Sequence, residues 1–121
     1  DLYRDLISLL DSLPRPDIES LHGFSDRFGQ RGDAKSFPVF CFLLSNWLHR
    51  ALRSQIEGQN IVPVFAGEDE VAVRFVSRAG TDAWLGLWGK INFGGRQAEA
   101  LNLDRKQIVL DWFSDMGDML A

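Results

Sequence analysis

The chain contains one cysteine, four prolines and no apolar run long enough to cross a bilayer. Cys41 cannot form a disulfide within the chain, which is typical of a protein from a reducing compartment. The longest apolar run, Phe37 to Leu44, contains Pro38 and is far shorter than the roughly 20 residues that a membrane-spanning helix needs. No signal peptide is evident, although a start at Asp1 rather than Met fits a trimmed chain. We therefore expect a cytoplasmic protein with no membrane partner.

Positive charge is also scarce, with 13 Lys and Arg against 17 Asp and Glu and a formal net charge of −4. Nonspecific binding to nucleic acid depends on cations that displace counterions from phosphates. Acidic residues are interspersed among the basic pairs Arg50/Arg53 and Arg105/Lys106. The composition therefore argues against direct DNA binding.

Motifs for catalysis, nucleotide binding or metal binding are missing as well. The only Gly-Lys pair, Gly89 and Lys90, has Trp84 where a phosphate-binding loop needs its first glycine. Cys41 and His49 lie eight residues apart on one predicted helix, which favours a structural thiol and a surface histidine over a catalytic pair. One cysteine and two histidines also give no zinc-ligand spacing. We expect no enzymatic activity, no cofactor, no metal and no small-molecule substrate.

Hydrophobic periodicity predicts an all-α bundle of five to six helices in a single domain, 1–121. Val71, Val73 and Phe75 alternate as in a strand, but the acidic residues before them favour a helix there. Caps and breaks place the other helices at Leu2–Leu13, from Asp17 to about Phe28, from Asp33 or Ser36 to Ile56, from Thr81 to Leu101, and from about Arg105 to Leu120.

Two stretches interrupt this pattern. Gly58 to Glu68 is unusually apolar for a connection, so we expect it to pack against another element. Gly94 and Gly95 fall inside a predicted helix, which must either kink there or be packed closely against a neighbouring element.

Three aspartates share one side of the last predicted helix: Asp111, Asp115 and Asp118. Such a face can bind a divalent cation, but a solvated acidic face is the preferred interpretation. Negative charge near a helix carboxyl terminus opposes the helix dipole. We therefore predict either a basic partner for these aspartates, on this chain or on a neighbouring subunit, or a frayed helix end.

Large apolar side chains are the remaining candidates for function. Trp47, Trp84 and Trp88 are expected in the core, and the alternative is a ligand-binding or regulatory module with a pocket lined by these rings. Val39 and Phe42 lie off the main apolar stripe of their helix, where surplus apolar surface indicates a partner. The predicted contact residues are Val39, Phe42, Phe113 and Leu120, the last two on the outer edge of the final helix.

The junction between the last two predicted helices has a distinctive sequence, AEALNLDRKQIVLDWF, at residues 98–113. Asn102 suits a left-handed helix end, Asp104 suits the next N-cap, and Gln107 is placed to reach back toward it. This segment resembles the carboxy-terminal domain of the delta-prime subunit of bacterial DNA polymerase III, of the alphaproteobacterial type. The resemblance is sharpest from Trp84 to Phe113, diffuse from Leu2 to Leu52, and does not extend to the region from Gly58 to Gly80.

That subunit belongs to the sliding-clamp loader. The resemblance implies a non-catalytic helical collar domain that assembles sibling subunits into a ring, with DNA contacted only through the full complex. The amino-terminal ATPase-like modules of that family are absent from this chain.

Overall fold

The computed structural model describes residues 1–29, 35–58, 67–101 and 103–121. Within these ranges the fold is all-α, with six helices and no strand. The helices are α1 (Leu2–Ser12), α2 (Ile18–Asp26), α3 (Ser36–Glu57), α4 (Glu68–Arg78), α5 (Thr81–Leu101) and α6 (Arg105–Leu120). No helix in these ranges is long and apolar enough to cross a membrane. The helix predicted around Val71 to Val76 is confirmed.

Aspartates cap three of the helices. The carboxylate of Asp1 accepts from the backbone N–H of Tyr3 at 3.0 Å, and that of Asp17 from the N–H of Ser20 at 3.1 Å. Asp104 caps α6 by accepting from the N–H of Gln107 at 3.2 Å. Each carboxylate thus satisfies a backbone donor that has no partner inside its helix. The side chain of Gln107 does not reach back as predicted, because it donates to Asp111 at 2.9 Å.

Arg74 of α4 holds the carboxyl end of α1. Its Nη2 donates to the backbone oxygens of Leu10 and Asp11 at 3.0 and 2.8 Å. These carbonyls lie in the last turn of α1, where the helix leaves acceptors unsatisfied. A guanidinium at this position also interacts favourably with the helix dipole. The contact therefore fixes α4 against α1.

α3 lies at the centre of the bundle and packs against α1, α4 and α5, while α6 closes the other side against α2, α4 and α5. All six helices contribute to one buried apolar cluster. Aromatic side chains from α2, α3 and α6 meet at its centre. The rings of Phe24 and Phe40 pack edge to face with centroids 5.6 Å apart, and those of Phe40 and Trp112 stack with centroids 6.2 Å apart. Edge-to-face and offset ring contacts of this kind add to the free energy of area burial.

α5 runs unbroken through Gly94 and Gly95. A Cβ at Gly94 would lie 3.3 Å from the ring of Trp112 on α6, and a Cβ at Gly95 would lie 3.2 Å from the Sγ of Cys41 on α3. Close packing, rather than a kink, is therefore why these positions lack a side chain. Because they lack side chains, α5 packs closely against α6 at Gly94 and against α3 at Gly95.

Ile18 and Ile56 lie on the surface although both are large apolar residues within helices. They are 62% and 68% exposed, because Ile18 begins α2 and Ile56 lies in the last turn of α3. The apolar connection at 59–66 and Asn102 fall outside the described residues, so the predictions made for them stay predictions.

Gly86 and Gly89 offer a stabilising change. Nothing lies within 4 Å of a Cβ built at either position, and both are in the interior of α5. Gly86→Ala and Gly89→Ala are each expected to raise the free energy of unfolding by about 0.5–1 kcal/mol, since alanine loses less backbone entropy in a helix. Urea unfolding of each variant measures this. A loss of stability in either variant would contradict the open space described around these two glycines.

Candidate protein-interaction groove

α3 and α5 run antiparallel and leave a groove of about 570 Å³ between them. We call it the α3/α5 groove. Its walls are a mixture of apolar side chains and a few polar ones: Pro38, Cys41, Phe42 and Ser45 from α3, and Ile91, Asn92, Gly95, Arg96, Glu99 and Ala100 from α5. Apolar concave surfaces with a small number of polar groups are typical of binding sites.

The floor of the groove exists because Gly95 has no side chain. Its α-carbon lies against the Cys41 side chain, so the two helices approach closely below while Phe42 and Arg96 rise on either side. Phe42 is 68% exposed. A bulky residue at position 95 would fill the floor and push the helices apart.

A polar network closes one end of the groove. Asn92 and Ser45 hydrogen-bond to each other across the two helices, the amide donating to the hydroxyl at 3.0 Å. The indole N–H of Trp88 donates to the Ser45 carbonyl at 3.1 Å. The ring of His49 stacks on Trp88 with centroids 5.7 Å apart. These contacts cross-link α3 and α5 and limit the groove to the segment between Pro38 and Ser45.

Burial raises the pKa of the Cys41 thiol to about 12, with a smaller contribution from the nearby Glu99 carboxylate. The thiolate is the nucleophilic form of cysteine, and at neutral pH this thiol is almost entirely protonated. Cys41 therefore acts as a small apolar side chain in the groove floor.

Cys41 is expected to resist alkylation. With a pKa of about 12, about one thiol in ten thousand is ionised at pH 8, compared with about one in ten at the ordinary value of 9.0. Iodoacetamide labelling followed by mass spectrometry should therefore be at least about 100-fold slower for the folded chain than for the chain in urea. The folded rate should rise steadily with pH up to the limit of folding. Equal rates in the two states would contradict the burial described here.

The four predicted contact residues divide into two pairs. Val39 and Phe42 are 50% and 68% exposed, and Phe42 forms one wall of the groove. Phe113 and Leu120 are 1% and 4% exposed, so their prediction as surplus outer surface is wrong. The reason is α2, because Phe24 packs edge to face on Phe113 at 6.1 Å and covers the side of α6 that the sequence left open.

The tryptophans fill the core rather than line a cavity. Trp47 and Trp84 are fully buried, and both contact the ring of Phe75, at 5.1 and 5.2 Å. Trp88 is partly buried against α3. The α3/α5 groove has no tryptophan in its walls. A ligand pocket lined by these rings stays an untested alternative.

The acidic side of α6 has the basic partner that was predicted, and it comes from this chain. Nζ of Lys90 on α5 lies 2.5 Å from a carboxylate oxygen of Asp115. Asp111 accepts from Gln107 within α6. Of the two contacts, the pair of Lys90 and Asp115 links the last helix to α5, whereas the contact of Asp111 lies within α6.

Sequence reasoning missed the α5 side of the groove. Arg96 is the only charged residue between Lys90 and Glu99. The available signal was a charge directly after two glycines in a predicted helix. The Ser45 and Asn92 pair gave no such signal, since the two residues are brought together only by helix packing.

Comparison with known proteins gives no relative for this chain. No family model, no curated protein and no solved structure matches it significantly.

Proposed function

We propose that this chain is a non-catalytic assembly domain, the helical collar of a delta-prime-type subunit of a bacterial sliding-clamp loader. In this role it packs against sibling subunits in the cytoplasm and contacts DNA only through the full complex. The observation that carries the proposal is the resemblance of residues 98–113, which form the end of α5, the connection and the first half of α6.

The shape of the α3/α5 groove supports an assembly role. Exposed Phe42 and Val39 lie beside a groove with an apolar floor, on a domain that already buries its own aromatic centre. Apolar surface that remains exposed after the core is filled is typical of a protein contact site.

The charge distribution supports indirect contact with DNA. Seven of the 13 lysines and arginines lie within ion-pair distance of acidic residues of the same chain: Arg27, Arg50, Arg53, Arg74, Lys90, Arg105 and Lys106. This pairing, with a net charge of −4, lowers the positive charge that can neutralise phosphates, as autonomous DNA binding would require.

The test is co-assembly with defined partners. The purified chain is mixed with the purified clamp-loader subunits of its own organism and analysed by size-exclusion chromatography with light scattering. A complex of stoichiometric composition at micromolar concentration is expected. Elution of the chain alone at every concentration, with the other subunits assembling without it, would refute the proposal.

A further inference from the structure

The α3/α5 groove lies in the part of the chain that is poorest in negative charge. No Asp or Glu occurs from 36 to 56 or from 83 to 98, although the chain contains 17 acidic residues among 121. These two stretches form both walls of the groove except for its end, where Glu99 and Ala100 follow. An acidic protein therefore presents one groove with a neutral to basic rim.

The charged groups of the rim have different partners. Glu99, the carboxylate among the lining residues, lies 3.4 Å from Nε of Arg105 and forms an ion pair with it. Arg96, one turn earlier on α5, is exposed and has no carboxylate within ion-pair distance among the described residues. The groove thus has an available guanidinium on one wall and the exposed ring of Phe42 on the other.

The dimensions fit a short helix. From Pro38 to Ser45 the wall of α3 rises by roughly 10 Å, which is about two turns. A partner helix would contact such a groove through apolar residues spaced three and four apart. Its flanking residues would then lie over the rim, within reach of Arg96.

From this arrangement we infer that the α3/α5 groove binds an acidic amphipathic helix of a partner protein. Its apolar stripe packs between Phe42 and Ala100, and one of its carboxylates pairs with Arg96. This inference rests on the proposed assembly function and specifies the chemistry of the partner segment.

The probe is a pair of fluorescein-labelled peptides, each held helical by a side-chain staple and bearing the same leucine stripe. One has glutamate at the flanking positions and the other has lysine. Fluorescence anisotropy with the intact chain should give an affinity for the glutamate peptide about tenfold higher than for the lysine peptide. The difference should shrink at high salt, because exposed charges are screened.

Two variants locate the site. Arg96→Glu is expected to reverse the preference between the peptides, and Phe42→Ala to weaken both by about tenfold or more, as for a central aromatic contact. Both side chains are exposed, so neither change should affect the circular dichroism spectrum. Arg15→Glu and Phe93→Ala are matched controls, since they change the same charge and a similarly exposed ring outside the groove.

Several results would overturn the inference. Equal affinity for the two peptides, or variants no different from their controls, would remove the acidic helix as occupant. Concentration-dependent dimerisation lost in Phe42→Ala would assign the groove to a second copy of the chain. If the chain assembles with clamp-loader subunits and both groove variants assemble equally well, the inference fails while the proposed function stands. If the glutamate peptide binds as expected but the chain does not assemble with clamp-loader subunits, the proposed function fails while the inference about the groove stands.

Discussion

Replacing Trp84 with alanine is expected to lower the free energy of unfolding by about 3–5 kcal/mol, the usual cost of removing a large aromatic side chain from a core. Trp84 is fully buried and stacks on Phe75 with centroids 5.2 Å apart. Its indole N–H also donates to the carbonyl of Phe75 at 2.7 Å. That carbonyl lies in the last turn of α4, where few backbone donors are available. Trp84 thus fills the core and stabilises the end of a neighbouring helix.

Trp47 is a matched comparison for the hydrogen bond alone. It is equally buried and packs edge to face on Phe75 at 5.1 Å, but its indole N–H has no hydrogen-bond partner. Trp84→Phe removes a buried hydrogen bond and leaves a carbonyl unsatisfied, whereas Trp47→Phe removes a donor that was already unsatisfied. We expect Trp84→Phe to be more destabilising than Trp47→Phe by about 1–2 kcal/mol.

Urea denaturation followed by far-ultraviolet circular dichroism measures both differences, because it does not depend on tryptophan fluorescence. Equal losses for the two phenylalanine variants would show that the indole hydrogen bond to Phe75 contributes little. A loss below about 1 kcal/mol for Trp84→Ala would contradict its position in the core.

Replacing Arg50 with methionine is the second large expected effect. Glu68 is fully buried at the start of α4, and its carboxylate accepts from Nη1 of Arg50 at 2.9 Å and from the hydroxyl of Tyr3. Burial, followed by the hydrogen bond to Glu68, raises the pKa of Tyr3 above its ordinary range, so the hydroxyl remains a donor. Arg50→Met removes the cation beside a buried carboxylate, which is expected to cost about 3 kcal/mol.

The double variant Arg50→Met with Glu68→Gln provides the internal check. A neutral amide of the same shape has no charge to be compensated, so it is expected to recover at least about half of the lost stability. The control is Arg53→Met, whose pairing with Glu57 at 3.0 Å is largely exposed and should cost less than about 0.5 kcal/mol. Double-variant stability no higher than that of Arg50→Met would mean that packing of the arginine, and not its charge, is what matters.

The sequence predicted the α3 side of the candidate groove but not the α5 side. Val39 and Phe42 were predicted as surplus apolar surface because they lie off the main apolar stripe of α3, and both are exposed. The same reasoning failed for Phe113, because the wide apolar arc of α6 is covered on two sides, by α2 and by the α5 glycines. A helix pattern shows which residues are apolar but not how many neighbours will pack against the helix.

The sequence by itself determined the helices of this protein, because periodicity, aspartate caps and breaks act within a few residues along the chain. Asp17 and Asp104 cap α2 and α6 for this local reason. Only the tertiary structure decided which helices meet, and with them the α3/α5 groove, the Lys90 to Asp115 ion pair and the burial of Glu68. Those features join residues far apart in the chain, where contact depends on the packing of whole helix faces and not on any local preference.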